Sequence, residues 1–222
     1  MKFDAIIFDF DGVIVDSEIV SNSALAETLT RLGSPTTVDQ ALERYCGKRW
    51  TDCTALIEAQ LGRKLPDGFV ESLVDEAVLR LAAETELIGG VADFIESHRH
   101  RGRAIASSSA SAWLFDSLAR FGIDHHFGTH VYSAAEIDRG KPHPDIYLHA
   151  ADRLAVHPER TLVIEDSPTG VAAGVAAGMT VVGFLGGSHI RDGHGERLRD
   201  TGAHHLVEDY AALDRLISEL EE

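Results

Sequence analysis

Five short segments with consecutive apolar residues recur along this chain: FDAIIF (Phe3–Phe8), RAIAS (Arg103–Ser107), THVYS (Thr129–Ser133), TLVIE (Thr161–Glu165) and TVVGF (Thr180–Phe184). Strands that are apolar on consecutive residues, and not only on every second one, are covered on both faces. Helical patterns such as SAWLFDSLARFG and DIYLHAADRLA lie between the runs. Strand–helix alternation of this kind predicts an α/β fold, a doubly wound parallel sheet. One interval breaks the rhythm, because no strand pattern is visible from Ser17 to about Leu87. There, SNSALAETLTRLG sets Ala24, Leu25, Leu29 and Leu32 at helical spacing, with Gly33 as a stop signal, and VESLVDEAVLRLAAE reads the same way. The expected organisation is a core domain of residues 1–16 and 88–222, interrupted after its first strand by an all-helical cap of residues 17–87.

Bulk properties narrow the function. Apolar residues form 44 % of the 222, enough for a packed core. The formal charge of −16 opposes binding to nucleic acid or to anionic membranes, which both select basic faces. A small anionic substrate stays compatible, since a metal ion or a local cation can reverse the field within one cleft. Cys46 and Cys53 are too few and too close for a secreted disulfide framework, and read as packing residues. The first apolar run starts at residue 3 and no run reaches 18 residues, so a leader and a membrane span are not expected. The expectation is a cytoplasmic monomer.

In open α/β sheets, ligands bind beyond the carboxyl ends of the strands. At those ends this chain carries Asp9 and Asp11, then Ser107 within SSSAS, Lys141 within GKPHP, and Glu165 with Asp166. Crowded carboxylates repel one another unless a cation lies between them. With only oxygen donors on offer, a hard ion such as Mg²⁺ fits better than zinc. Gly12 supplies the backbone freedom for a tight bend after Asp11, so that strand alternation need not separate the two aspartates.

The segments DFDGVIVDSE, SSS, GKPHPDIY and EDSPTGVAAGVAAGM resemble, in order and from residue 9 to residue 179, the four motifs of the haloacid dehalogenase-like hydrolase superfamily. The helical insert resembles the cap of its β-phosphoglucomutase-like subgroup. VDSEIVSNSALAETL and GFLGGSH look most like bacterial sugar-phosphate phosphatases of the 6-phosphogluconate phosphatase kind. The resemblance implies Asp9 as nucleophile and Asp11 as general acid and base, whose backbone carbonyl would bind Mg²⁺. It further implies Ser107 and the backbone around Ser108 on the phosphoryl oxygens, and Lys141 offsetting charge. Asp9 and Asp166 would be metal ligands, with Glu165 either a ligand or a support. In the cap loop CGKRWTD, Lys48 and Arg49 are candidate substrate contacts. The implied partner is a small phosphorylated metabolite, a sugar or sugar-acid phosphate.

Rival readings are a phosphomutase of the same fold, a metal-free dehalogenase and a phospho-accepting signalling protein. Arg49 lies two residues after Gly47, Ala110 follows the serines and Ser21 replaces a common histidine; these departures weaken the mutase. Asp11 argues against the dehalogenase, and an acceptor after the first strand argues against the signalling domain. Ser167–Pro168 reads as a helix cap with first-turn proline. Gly170 and Gly174 read as sites of close helix–sheet packing, and Gly178 as a C-terminal cap. Ser109 is left open. The twelve histidines read mostly as surface residues, with His189 a candidate for approach to the site.

Overall fold

A computed structural model of the chain describes residues 2–46, 50–66 and 68–222. The chain divides into two compact units, Met1–Val15 with Leu87–Glu222, and Asp16–Glu86.

In chain order the elements are β1 (Ala5–Phe8), α1 (Glu18–Arg31), α2 (Val38–Tyr45), α3 (Trp50–Leu61), α4 (Phe69–Glu84), α5 (Val91–Ser97), β2 (Gly102–Ser107), α6 (Ser111–Phe121), β3 (Val131–Ser133), α7 (Asp145–Arg153), β4 (Thr161–Glu165), α8 (Pro168–Ala176), β5 (Thr180–Phe184), α9 (His194–Thr201), β6 (His205–Val207) and α10 (Tyr210–Glu221). Among the described residues there are six strands, all parallel, in the order β3-β2-β1-β4-β5-β6. The five expected strands are present. The sixth, β6, was not anticipated: three residues at a sheet edge, two of them only partly buried, carry no apolar run to read.

Strand alternation sorts the apolar runs onto two cores. Ile6, Phe8, Ile105, Leu162, Ile164, Val182 and Phe184 point into one layer, with Phe94, Leu114, Leu118, Leu213 and Ile217 from the helices. Ile7, Ala104, Ala106, Val163 and Val181 point into the other, against Ile146, Tyr147, Val171 and Leu198. Both faces are therefore dry, which is why the strands are apolar throughout. Gly174 belongs to the second layer, where an added Cβ would lie 2.7 Å from Val181 Cγ2. Gly178 follows α8 with φ +74°, in the left-handed region that ends helices.

The helical unit has its own small core of Leu25, Leu29, Ala41, Tyr45, Cys53, Ile57 and Leu73. Its helix α2 opens with a reciprocal cap: Gln40 N donates to Thr37 Oγ1 at 3.2 Å, and Thr37 N donates to Gln40 Oε1 at 2.9 Å. Gly33, with φ +91°, stands just past α1 as the stop signal required. Among the described residues, no helix is long and apolar enough to cross a membrane.

Candidate active site

The sheet order reverses direction at β1, whose neighbours are β2 and β4. Phe8 pairs with Ile105 on one side and Ile164 on the other, so Asp9 leaves the sheet beside the end of β4, where its N–H still donates to Ile164 O at 2.9 Å. This is the crevice where an open parallel sheet offers a site. The chain then folds back at once: Ile14 N donates to Phe10 O at 2.8 Å, and Gly12 N to Val15 O at 2.8 Å. Gly12 sits at φ +80°, and a Cβ there would lie 1.9 Å from Asp166 Oδ2. Both the backbone angle and the neighbouring carboxylate demand glycine.

Three buried carboxylates, those of Asp9, Glu165 and Asp166, gather so that one oxygen from each lies within 4.8 Å of the others. Lys141 reaches into this group with its side chain only 3 % exposed, donating to Asp9 Oδ1 at 2.8 Å and to Glu165 Oε1 at 2.7 Å. Glu165 is held on both oxygens. Tyr147 Oη also donates to Oε1 at 3.0 Å, while Ser167 N and Oγ donate to Oε2 at 2.8 and 2.9 Å. Four donors leave it better suited to fixing Lys141 than to joining a metal directly. Ser167 is the cap of α8 as expected, accepting from Gly170 N at 3.1 Å, with Pro168 in the first turn. Gly170 is small because a Cβ would fall 1.5 Å from Glu165 Oε1.

Burial, reinforced by the neighbouring carboxylates, pushes the Asp9 and Asp166 carboxyls well above the usual range, against the pull of Lys141. For Lys141, burial alone would lower the ammonium, but Asp9 and Glu165 outweigh it and hold it well above its ordinary value. One ammonium thus faces three carboxylates at this strand edge. An all-oxygen donor set with uncompensated negative charge fits a hard divalent cation.

Asp11 stands outside that acidic group. Ser109 Oγ donates to its Oδ2 at 2.5 Å and Trp113 Nε1 to its Oδ1 at 3.1 Å. Ser107 is buried at the end of β2, where its Oγ accepts from Ser109 N at 3.0 Å. Ser133 Oγ in turn donates to Ser109 O at 2.6 Å. Ser108 lies between these two serines, half-buried, and α6 opens three residues later. The serine loop is therefore ordered around Asp11.

The mostly-surface reading of the histidines needs correction at His98 and His194, which are buried; His189, expected to approach the site, is buried beside it. His189 Nε2 lies 2.9 Å from Asp166 Oδ2, and His194 Nε2 lies 2.6 Å from Asp166 O. Neither Trp113, Tyr147 nor His194 was singled out beforehand. Tyr147 lay within the GKPHPDIY segment, six residues after Lys141, and α7 turns it back towards that lysine. Lys48 and Arg49 lie outside the described residues.

Comparison with known proteins places these residues in context. A sequence model described as haloacid dehalogenase-like hydrolase matches residues 6–184. A 6-phosphogluconate phosphatase of Escherichia coli is 25 % identical over 189 residues, 85 % of each chain. A beta-phosphoglucomutase of Mycobacterium bovis is 28 % identical over 241 residues, 96 % of this chain and 92 % of that one. Among solved structures, a haloacid dehalogenase-like protein of unknown function from Agrobacterium tumefaciens superposes with a TM-score of 0.90 at 37 % identity, over 99 % of this chain and 100 % of that one.

Proposed function

This chain belongs to the haloacid dehalogenase-like hydrolase family, and from that premise we propose that it is a cytoplasmic, Mg²⁺-dependent phosphatase that hydrolyses a small sugar or sugar-acid phosphate through a phosphoryl group carried on Asp9. The observation that carries the reading is Lys141, buried between Asp9 and Glu165 at the strand edge where the sheet reverses. A carboxylate approaching a phosphate meets its negative oxygens, and a fixed ammonium at the nucleophile offsets that repulsion without reorganising.

Asp9, Asp166 and the backbone carbonyl of Asp11 would hold the cation, with Glu165 fixing their surroundings. When bound, Mg²⁺ supplies positive charge to the phosphoryl oxygens. In the first step an Asp9 oxygen attacks phosphorus, the ester P–O bond breaks, and Asp11 gives its proton to the leaving alkoxide. In the second, water attacks phosphorus and passes a proton to Asp11, the Asp9–phosphorus bond breaks, and inorganic phosphate leaves. Ser107 and the N–H groups near Ser108 bind the phosphoryl oxygens, and Lys141 keeps Asp9 poised between steps. The helical unit serves as the cap, with Lys48 and Arg49 as its substrate contacts. Support for a reduced compartment is that Cys46 and Cys53 are too few and too close for a secreted disulfide framework.

The similarity to a mutase favours one rival, in which a sugar hydroxyl replaces water in the second step. A screen of phosphorylated sugars, sugar acids and nucleotides, followed by ³¹P NMR, tests both. Release of inorganic phosphate that Asp9→Asn abolishes is expected. Conversion of a hexose 1-phosphate to its 6-phosphate without release would establish the mutase.

A further inference from the structure

His189 lies in the loop after β5, and its side chain is only 3 % exposed. Two glycines far apart in sequence make the space for it. A Cβ on Gly12 would lie 2.8 Å from His189 Cε1, and one on Gly187 would lie 2.6 Å from both Cε1 and Nδ1. Either side chain would overlap the ring as it is now seated and would force it to move. The imidazole so seated meets Asp166 Oδ2 with Nε2 at 2.9 Å. As a metal ligand Asp166 must be ionised, and an ionised carboxylate only accepts, so Nε2 then carries the hydrogen.

A second hold acts on the same residue. Arg197 Nη2 lies 3.0 Å from His194 Nδ1, and His194 Nε2 lies 2.6 Å from Asp166 O. A guanidinium only donates, so Nδ1 of His194 accepts and Nε2 donates to the carbonyl. Asp166 is thus gripped at its backbone by α9 and at its side chain by the loop before α9.

We propose that His189 is a positioning residue for Asp166: seated in the slot left by Gly12 and Gly187, it occupies one oxygen of that carboxylate and leaves the other for a divalent cation. This inference rests on the metal-binding reading of the acidic cluster. Residues that orient a ligating carboxylate set the entropy of the site, and their loss typically weakens metal binding about 10- to 100-fold. A histidine that merely filled core space would have no such effect.

The test uses the full-length chain, freed of metal and titrated calorimetrically with Mn²⁺ alone, with unfolding midpoints recorded in chelator. His189→Gln places an amide N–H close to the position of Nε2, whereas the amide of His189→Asn stops short of Asp166. The glutamine variant should bind Mn²⁺ within about threefold of wild type, and the asparagine variant about tenfold or more weakly. Asparagine binding equal to wild type, or equal losses in both variants, would overturn the proposal. If the asparagine variant does not fold, His189→Leu takes its place with the same expectation; failure of both to fold would assign the imidazole to core stability and overturn it too. Wild-type protein that binds no Mn²⁺ would instead remove the metal reading beneath it.

Discussion

Lys141 Nζ lies 2.7 Å from Glu165 Oε1, with the lysine side chain 3 % and the glutamate 0 % exposed. The pair joins the loop before α7 to the end of β4, and its second contact, to Asp9, brings in β1. Three segments remote in sequence are thereby tied by one ammonium. Its loss would leave two largely buried carboxylates without their shared cation.

Lys141→Met keeps the length of the stem and removes the charge. Phosphate release should fall about 10²- to 10³-fold, the scale of deleting one preorganised electrostatic partner. Urea unfolding should show a loss of about 3 kcal/mol, because breaking a buried pair leaves uncompensated charge. A rate within tenfold of wild type would remove Lys141 from the mechanism.

Gly170→Ala tests the support beneath that pair. Alanine in a helix gains up to about 1 kcal/mol of propensity over glycine. Here the new methyl would fall 1.5 Å from Glu165 Oε1, inside a carboxylate held by four donors. The collision outweighs the propensity, so the variant should be less stable than wild type and lose turnover together with it. A raised melting temperature would refute this.

Metal-free protein should respond to pH and to Mg²⁺ in a linked way. Burial holds the Asp9 and Asp166 carboxyls above their unfolded value, so the stability they contribute is present below the ordinary carboxylate range and is lost as pH rises through their folded values. Chelated wild type should therefore lose stability as pH rises above that range. Mg²⁺ at about 100 times its Kd should restore about 2.7 kcal/mol. Asp166→Asn should be nearly insensitive to Mg²⁺ in the same melts; an unchanged response would exclude Asp166 as a ligand.

Glu221 offers the opposite sign. Its carboxylate receives Arg101 Nη1 and Nη2, both at 2.9 Å, and Arg101 also reaches Phe3 O. The guanidinium, against a smaller burial effect, lowers the Glu221 carboxyl from 4.5 to about 2. This contribution is complete above about pH 4.5 and disappears as pH falls towards 2. Glu221→Gln should cost about 2 kcal/mol at pH 7, and the gap from wild type should close on acidification to pH 3 and below. A gap independent of pH would place the effect in packing.

By itself the sequence determined the parallel sheet, because strands buried on both faces must be apolar at every position and TLVIE and TVVGF show this openly. It also determined the inventory of reactive groups at the strand ends, since α/β connectivity brings those ends to one edge. Ser167 and Gly33 were readable as local punctuation, because capping and left-handed turns depend on neighbours within a few residues. Tertiary structure alone decided which groups meet. Lys141 and Glu165 are 24 residues apart, and Asp11 and Trp113 are 102 apart. No local pattern encodes such distances. His194 looked like a polar surface residue because its partner, Asp166, lies on another loop; His189 was placed near the site by its position after a strand, but its seat was not legible, because one of the two glycines that admit it, Gly12, lies at the other end of the chain. Strand β6 escaped because an edge strand of three residues is defined by the neighbour it pairs with and not by its own composition. Periodicity and local propensity act within a few residues and are printed in the sequence; the pairing of buried charges is a property of the packed chain.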